Sequence, residues 1–255
     1  MRQERKVTRK EKEKGTIPKV TRPVNQNWAQ SYGMNKIELT PSQKELRNKI
    51  IANDLIFVVG SSGSGKSMTV LYTYIQEYLR DPSKQLIVVR TPVEAGMDKV
   101  GALPNGLSEK IEPHFNSSKV LLQELLNKGK VESDLEHRIH FKIPNYMLGS
   151  TLDNSLILIE EAQQLSPLIL KLVLERTGIN SKVCIIGDNS QLYVEAKGRN
   201  ALRDAIPRFF HTNGVPKFNN IAYHEFSVED VVRSEITKIV IKAYNAAVAP
   251  QSGVI

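Results

Sequence analysis

Residues 60–67 read Gly60-Ser61-Ser62-Gly63-Ser64-Gly65-Lys66-Ser67. Five apolar residues, Leu55–Val59, lead into them. The stretch Lys66–Arg80 follows, with Met68, Leu71, Tyr72, Ile75 and Leu79 on one helical face. The pattern G-x-x-x-x-G-K-[ST] between a strand and a helix is a phosphate-binding loop. Its glycines let the backbone wrap so that successive N–H groups converge on an anion at a helix N-terminus. Lys66 is then set to reach the β- and γ-phosphates of ATP, and the Ser67 hydroxyl to bind Mg²⁺. The candidate nucleotide-binding set is Gly60, Ser61, Ser62, Gly63, Ser64, Gly65, Lys66 and Ser67, with Met68 beside them. The competing reading, a glycine-serine turn before an ordinary helix, does not explain the apolar strand that precedes it.

The rest of the chain repeats this alternation. Thr40-Pro41-Ser42 marks a helix start running to Ala52. Leu86–Arg90, Ile139–Ile143, Leu156–Ile159, Val183–Gly187 and Asn220–His224 read as short strands, mostly continuous apolar runs. Helical patterns cover Lys119–Asn127, Ser166–Gly178 and Arg199–Phe210. Ser227–Asp230 looks like an acidic cap opening a last helix, with Val228, Val231, Val232, Ile236, Ile239, Val240 and Tyr244 as its buried face. Thr91–Ser118, rich in Gly and Pro, reads as a long irregular loop of the kind that usually carries function. Strand–helix alternation of this kind predicts an α/β fold, a mostly parallel sheet with helices on both faces. Residues 37–255 are expected to form one domain of P-loop NTPase type, preceded by a flexible arm, 1–36.

Two further segments carry chemistry. Ile157-Leu158-Ile159 ends in Glu160-Glu161. An apolar strand ending in two carboxylates pairs naturally with a phosphate loop. At the Mg²⁺ site that Ser67 shares, Glu160 would hold a Mg²⁺-bound water, and Glu161 would orient or deprotonate the attacking water. Alone, the pair is weak evidence, since exposed acids end many strands. Gly187-Asp188-Asn189-Ser190-Gln191 follows the next strand. Either it is a polar turn with Asp188 capping a helix, or Gln191 lies near the γ-phosphate and aligns water, as the GTPase glutamine does. Its place directly after the acidic strand favours the second.

Charge is unevenly spread. The chain of 255 residues has a formal charge of +8. Residues 1–22 hold nine Lys or Arg against three Glu, so the arm carries six of the eight net charges. Such an arm suits a polyanion partner, and equally a solvated tail. The single cysteine, Cys184, excludes an internal disulfide framework and a cysteine zinc site. The five histidines show no metal-ligand spacing. No apolar run is long enough to span a bilayer, and Met1–Lys14 lacks a signal-peptide core, so a cytoplasmic setting is expected.

At these residues the sequence resembles the PhoH family, and more distantly the ATPase core of superfamily 1 helicases. The resemblance covers about residues 40–248. Beyond the phosphate loop it rests on 90–96 (RTPVEAG), 101–107 (GALPNGL), 146–152 (YMLGSTL), Glu161-Ala162-Gln163, Arg176-Thr177-Gly178 and 229–233 (EDVVR). The family usually has Asp where this chain has Glu160, which bears on hydrolysis rate, and Gly where it has Asn105. The resemblance implies a single helicase-like core that binds and hydrolyses ATP with Mg²⁺. It implies action on, or regulation by, RNA or single-stranded DNA, and a homo-oligomer such as a hexameric ring. It also implies roles for Gln43, as an adenine reader, and Arg233, as a γ-phosphate contact from its own or a neighbouring subunit. Arg90 and the 91–118 stretch would meet a nucleic-acid strand or a neighbouring subunit. Read from the residues alone, Gln43 is also an exposed helix glutamine, and Arg233 a surface partner of Glu229 or Asp230. The catalytic candidates are Lys66, Glu160, Glu161, Gln191 and Arg233. Two other functions fit the same loop: a slow, nucleotide-gated regulatory protein without unwinding activity, and a P-loop kinase.

Overall fold

The computed structural model describes residues 33–91, 107–135, 137–144, 147, 149–188 and 200–245. The basic arm as far as residue 32, the stretch 92–106 and Gln191 lie outside the described residues.

In chain order the elements are α1 (Pro41–Ala52), β1 (Leu55–Val59), α2 (Lys66–Arg80), β2 (Gln85–Val89), α3 (Leu107–Leu125), α4 (Lys128–Asp134) and β3 (Ile139–Lys142). Then come β4 (Ser155–Ile159), a 3-10 turn (Ala162–Gln164), α5 (Pro167–Leu174), β5 (Lys182–Gly187), α6 (Ala201–Phe209), β6 (Ile221–Glu225) and α7 (Glu235–Asn245). The strands form one parallel sheet in the order β3-β2-β4-β5-β1-β6. Both faces are covered, which is why the central strands are apolar at nearly every position. Ile56, Val58, Leu156, Leu158, Cys184 and Ile186 pack with α1, α2 and α3 on one face. Phe57, Ile157, Ile159, Val183 and Ile185 pack with α5 and α6 on the other. The α/β class with a parallel, doubly covered sheet is as the sequence predicts.

Polar side chains close the helix ends. Thr40 caps α1 in a reciprocal pair with Gln43: Gln43 N–H donates to Thr40 Oγ1 at 3.3 Å and Thr40 N–H to Gln43 Oε1 at 3.1 Å. The Lys182 ammonium donates to the carbonyls of Ile50, Ile51 and Asn53 at the other end of α1. Beyond α2, the Arg138 guanidinium donates to Tyr78 O, Asp81 O and Lys84 O and lies 3.9 Å from the Tyr78 ring centroid. Tyr78 in turn donates to Asp134. Arg138→Ala would strand these carbonyls. A loss of roughly 1.5–3 kcal/mol is expected, the range for hydrogen bonds to a charged group, and urea unfolding would measure it; an unchanged midpoint would mean that water replaces the guanidinium.

Three sequence expectations need correction. The stretch 91–118 is not wholly irregular, because α3 begins at Leu107 and runs through Pro113. A proline removes one helical N–H bond, and here buried Phe115, Leu122 and Leu125 hold the helix against the core regardless. Lys119–Leu125 is the last part of that helix, and Asn127 caps α4. Thirdly, the last helix starts at Glu235, not at Ser227. Ser227 instead makes a tight turn, its N–H and hydroxyl both bonding Asp230 Oδ2 at 2.8 and 2.9 Å. Of the face expected to be buried, Val231 is buried, but Val232, Ile236, Ile239, Val240 and Tyr244 are exposed. The periodicity is real; within one copy of the described residues nothing covers it.

Candidate active site

Parallel strands bring their C-terminal ends to one edge, and the loops there form the site. Val59 of β1 pairs with Gly187 of β5, and Val89 of β2 with Ile159 of β4. The phosphate loop, Glu160-Glu161 and Asp188 therefore meet at one edge, although they span more than a hundred positions of sequence.

The loop turns on two glycines with positive φ, Gly63 at +84° and Gly65 at +83°. A Cβ at Gly63 would come within 2.7 Å of the Arg233 side chain, and one at Gly65 would collide with the Gln43 amide. Gly65 is the N-cap of α2 and offers no side chain, so the first N–H groups of the helix stay available to an anion. Inside the loop the Lys66 ammonium donates to Gly60 O at 2.7 Å and Ser61 O at 2.9 Å. Burial lowers the Lys66 pKa below the ordinary lysine value; Asp188 and Glu161 pull it partly back, and Arg233 pushes it further down. Gln43 donates to Ser64 O at 3.3 Å, which fastens α1 to the loop.

Across the cleft, Ser67 donates to Glu160 Oε1 at 2.6 Å. Glu160 is buried, and Ser118 of α3 donates to its Oε2 at 2.5 Å. Glu161 sits in the left-handed region at φ 51°, unusual for a residue other than glycine and a conformation held by its neighbours. Gln163 donates to Glu161 Oε2 at 2.7 Å and accepts from Asp188 N–H at 3.1 Å. It thus ties the second acid to the end of β5. Arg90 lies 3.9 Å from both Glu160 and Glu161. Val232 N–H donates to Gly63 O at 3.1 Å, which seats Arg233 on the phosphate loop of its own chain.

These groups line a cleft of about 510 Å³ that includes Gln43, Ser62, Met68, Asp188 and Arg233, a size typical of small-ligand sites. A larger groove of about 800 Å³ lies at the opposite strand ends, lined by Leu55, Leu168, Leu174, Val183 and Phe218. It is mainly apolar, whereas the smaller cleft gathers the charged and polar candidates. Ser67 and Glu160 supply only oxygen donors beside the phosphate loop, a set that fits a hard divalent cation such as Mg²⁺. Among the described residues no cluster of three or more His, Cys, Asp or Glu offers another metal site. Every sequence candidate that is described faces this cleft or shapes its loop. Ser118 and the bridge made by Gln163 had no counterpart among the sequence candidates; Arg90, expected to meet a nucleic-acid strand or a neighbouring subunit, has its side chain beside the two acids.

A family profile described as "PhoH-like protein" matches residues 37–245. A PhoH-like protein of Synechocystis sp. is 30% identical over 203 residues, 79% of this chain and 60% of that protein. One from Bacillus subtilis is 30% identical over 207 residues, 81% of this chain and 63% of that protein. The chain thus spans about three fifths of the length of these relatives. Among solved structures, the large terminase of a thermophilic bacteriophage superposes with a TM-score of 0.51 at 12% identity. The match covers 81% of this chain and 50% of that one, and shows a shared fold. With the phosphate loop, the paired acids and the parallel sheet in place, the chain belongs to the PhoH-like protein family.

Proposed function

We propose that the protein is a Mg²⁺-dependent ATPase acting on, or regulated by, RNA or single-stranded DNA. The observation that carries this reading is the meeting of Ser67 and Glu160 at 2.6 Å beside Lys66, at the mouth of the phosphate loop. Catalysis in such a site is positional and electrostatic. The loop N–H groups and Lys66 hold the phosphates. Ser67 and Glu160 would hold Mg²⁺, which when bound offsets charge on the phosphate oxygens. Glu161, fixed by Gln163, orients water, and Gln191 joins it in this reading. Gln43 lines the same cleft beside the loop, and in this reading it is the adenine reader. The nucleic-acid part rests on the basic composition of residues 1–22. Phosphate release measured with no polymer, single-stranded RNA and single-stranded DNA tests both parts. Release stimulated by one polymer is expected; slow release that no polymer stimulates would leave the nucleotide-gated alternative, which Glu160 in place of Asp favours, and no release under any condition would sink the ATPase reading. Among the described residues no helix is long and apolar enough to cross a bilayer.

Arg233 is proposed to act in cis, because its side chain packs on Gly63 of its own chain. Arg233→Ala and Lys66→Ala then damage the same site. Mixed oligomers of the two inactive proteins are expected to stay inactive; recovered activity, with subunit exchange shown separately, would assign Arg233 to the neighbour's site.

A homo-oligomer is proposed from the stripe Ile236, Ile239, Val240 and Tyr244, which is exposed along α7. Surface patches of this kind mark interaction sites, and a second copy of the chain is the occupant proposed here. Ile236→Asp with Ile239→Asp should shift the protein to monomers in light scattering after size exclusion. An unchanged mass would move the interface elsewhere.

A further inference from the structure

We infer that Ser118 of α3 is a positioning residue for the metal-binding carboxylate, and that it adapts this site to a glutamate. The inference rests on the Mg²⁺–nucleotide reading above and names a residue that reading does not require. Phe115, Ser118, Leu122 and Leu125 lie three, seven and ten positions apart, one inward face of α3. All four are buried, and Ser118 is the only polar member of that stripe. A hydroxyl at a core position must find a partner, and here it finds the second oxygen of Glu160 at 2.5 Å. The first oxygen accepts from Ser67 at 2.6 Å. The carboxylate is therefore held from opposite sides by residues of α2 and α3, with its own backbone N–H bonded to Val89 O at 2.8 Å.

The extra methylene of glutamate explains why such a partner is needed. It adds one rotatable bond between the backbone and the carboxylate. A metal ligand left free to swing loses affinity, because the ordering has to occur on binding. Ser118 removes that freedom in advance. An aspartate at 160 would be shorter by one carbon and would leave the serine hydroxyl out of reach. The two residues should thus behave as a coupled pair.

The test is a double-mutant cycle of Ser118→Ala and Glu160→Asp in the full chain. Mn²⁺ binding in the presence of a non-hydrolysable ATP analogue is read by electron paramagnetic resonance. Binding of a fluorescent ATP analogue in EDTA and the unfolding temperature are read in parallel. Ser118→Ala is expected to weaken Mn²⁺ binding roughly 10-fold, the usual scale when a residue that orients a metal ligand is removed. EDTA binding should stay as in the wild type. In the Glu160→Asp background the same substitution should change Mn²⁺ affinity by less than about 2-fold, since non-additivity is the mark of a direct contact. Ser118→Cys, similar in size with a weak donor, should move in the same direction and serves if the alanine variant does not fold. Unchanged Mn²⁺ affinity in Ser118→Ala, or an equal loss in both backgrounds, overturns the inference. So does a matching loss of nucleotide affinity in EDTA, which would make Ser118 a packing residue. A wild-type chain that takes up neither Mn²⁺ nor nucleotide overturns the function proposed above together with this inference.

Discussion

Lys66→Ala is expected to abolish phosphate release and to weaken ATP binding while leaving the fold intact. In the structure the ammonium is fastened to the loop itself, through Gly60 O and Ser61 O. The loop is therefore pre-formed around a cation that a triphosphate can share. Removing a single preorganised group that stabilises transition-state charge costs about 10²–10³ in rate, and here ground-state phosphate attraction goes with it. Turnover, fluorescent-nucleotide binding and circular dichroism would separate loss of function from loss of fold. Wild-type turnover in the folded variant would remove the phosphate loop from the mechanism. A pH series on the unaltered protein gives a second check. Lys66 attracts phosphate only as the ammonium, and burial lowers its pKa. ATP affinity should be full at lower pH and fall as pH rises through that lowered pKa, before ordinary lysines titrate. A flat profile across that window would contradict the assignment.

Glu161→Gln is expected to keep ATP bound while slowing phosphate release by roughly 10²-fold or more, the scale of a lost general base. The two acids are held differently. Glu160 bonds Ser67 and Ser118, whereas Glu161 bonds Gln163 and faces Arg90 at 3.9 Å. Neutralising Glu161 leaves the Ser67–Glu160 pair in place, so metal and nucleotide should still bind. Glu160→Gln should instead raise the Mg²⁺ requirement. Trapped ATP in Glu160→Gln, together with normal turnover in Glu161→Gln, would reverse the two assignments.

The parts legible in the sequence were those with a local signature. Leu55–Val59 and Leu156–Ile159 are strands because five or four consecutive apolar residues suit a sheet covered on both sides. The glycine spacing of residues 60–65 announces its own backbone geometry. Helix α3 was hidden because Pro113 and the preceding glycines argue locally for a loop, while its core contacts are distant in sequence. The start of α7 was misplaced because Ser227 and Asp230 look the same in a capped helix and in an isolated turn. Periodicity identified an apolar stripe on α7 but could not say what covers it. Ser118 and the inward turn of Arg90 had no local signal, since each meets an acid far away in the chain.

Sheet order also governs how this site can come into being. Leu55 lies beside Val183, and Gln85 beside Ser155. Neighbours in space are thus remote along the chain, and parallel pairing allows no hairpin to bring them together cheaply. Topologies dominated by such distant pairings fold slowly. The cleft cannot assemble before β1, β4 and β5 are side by side. A chain interrupted between β1 and β4 would separate Lys66 from Glu160. During synthesis the phosphate loop emerges long before the acids that face it across the cleft.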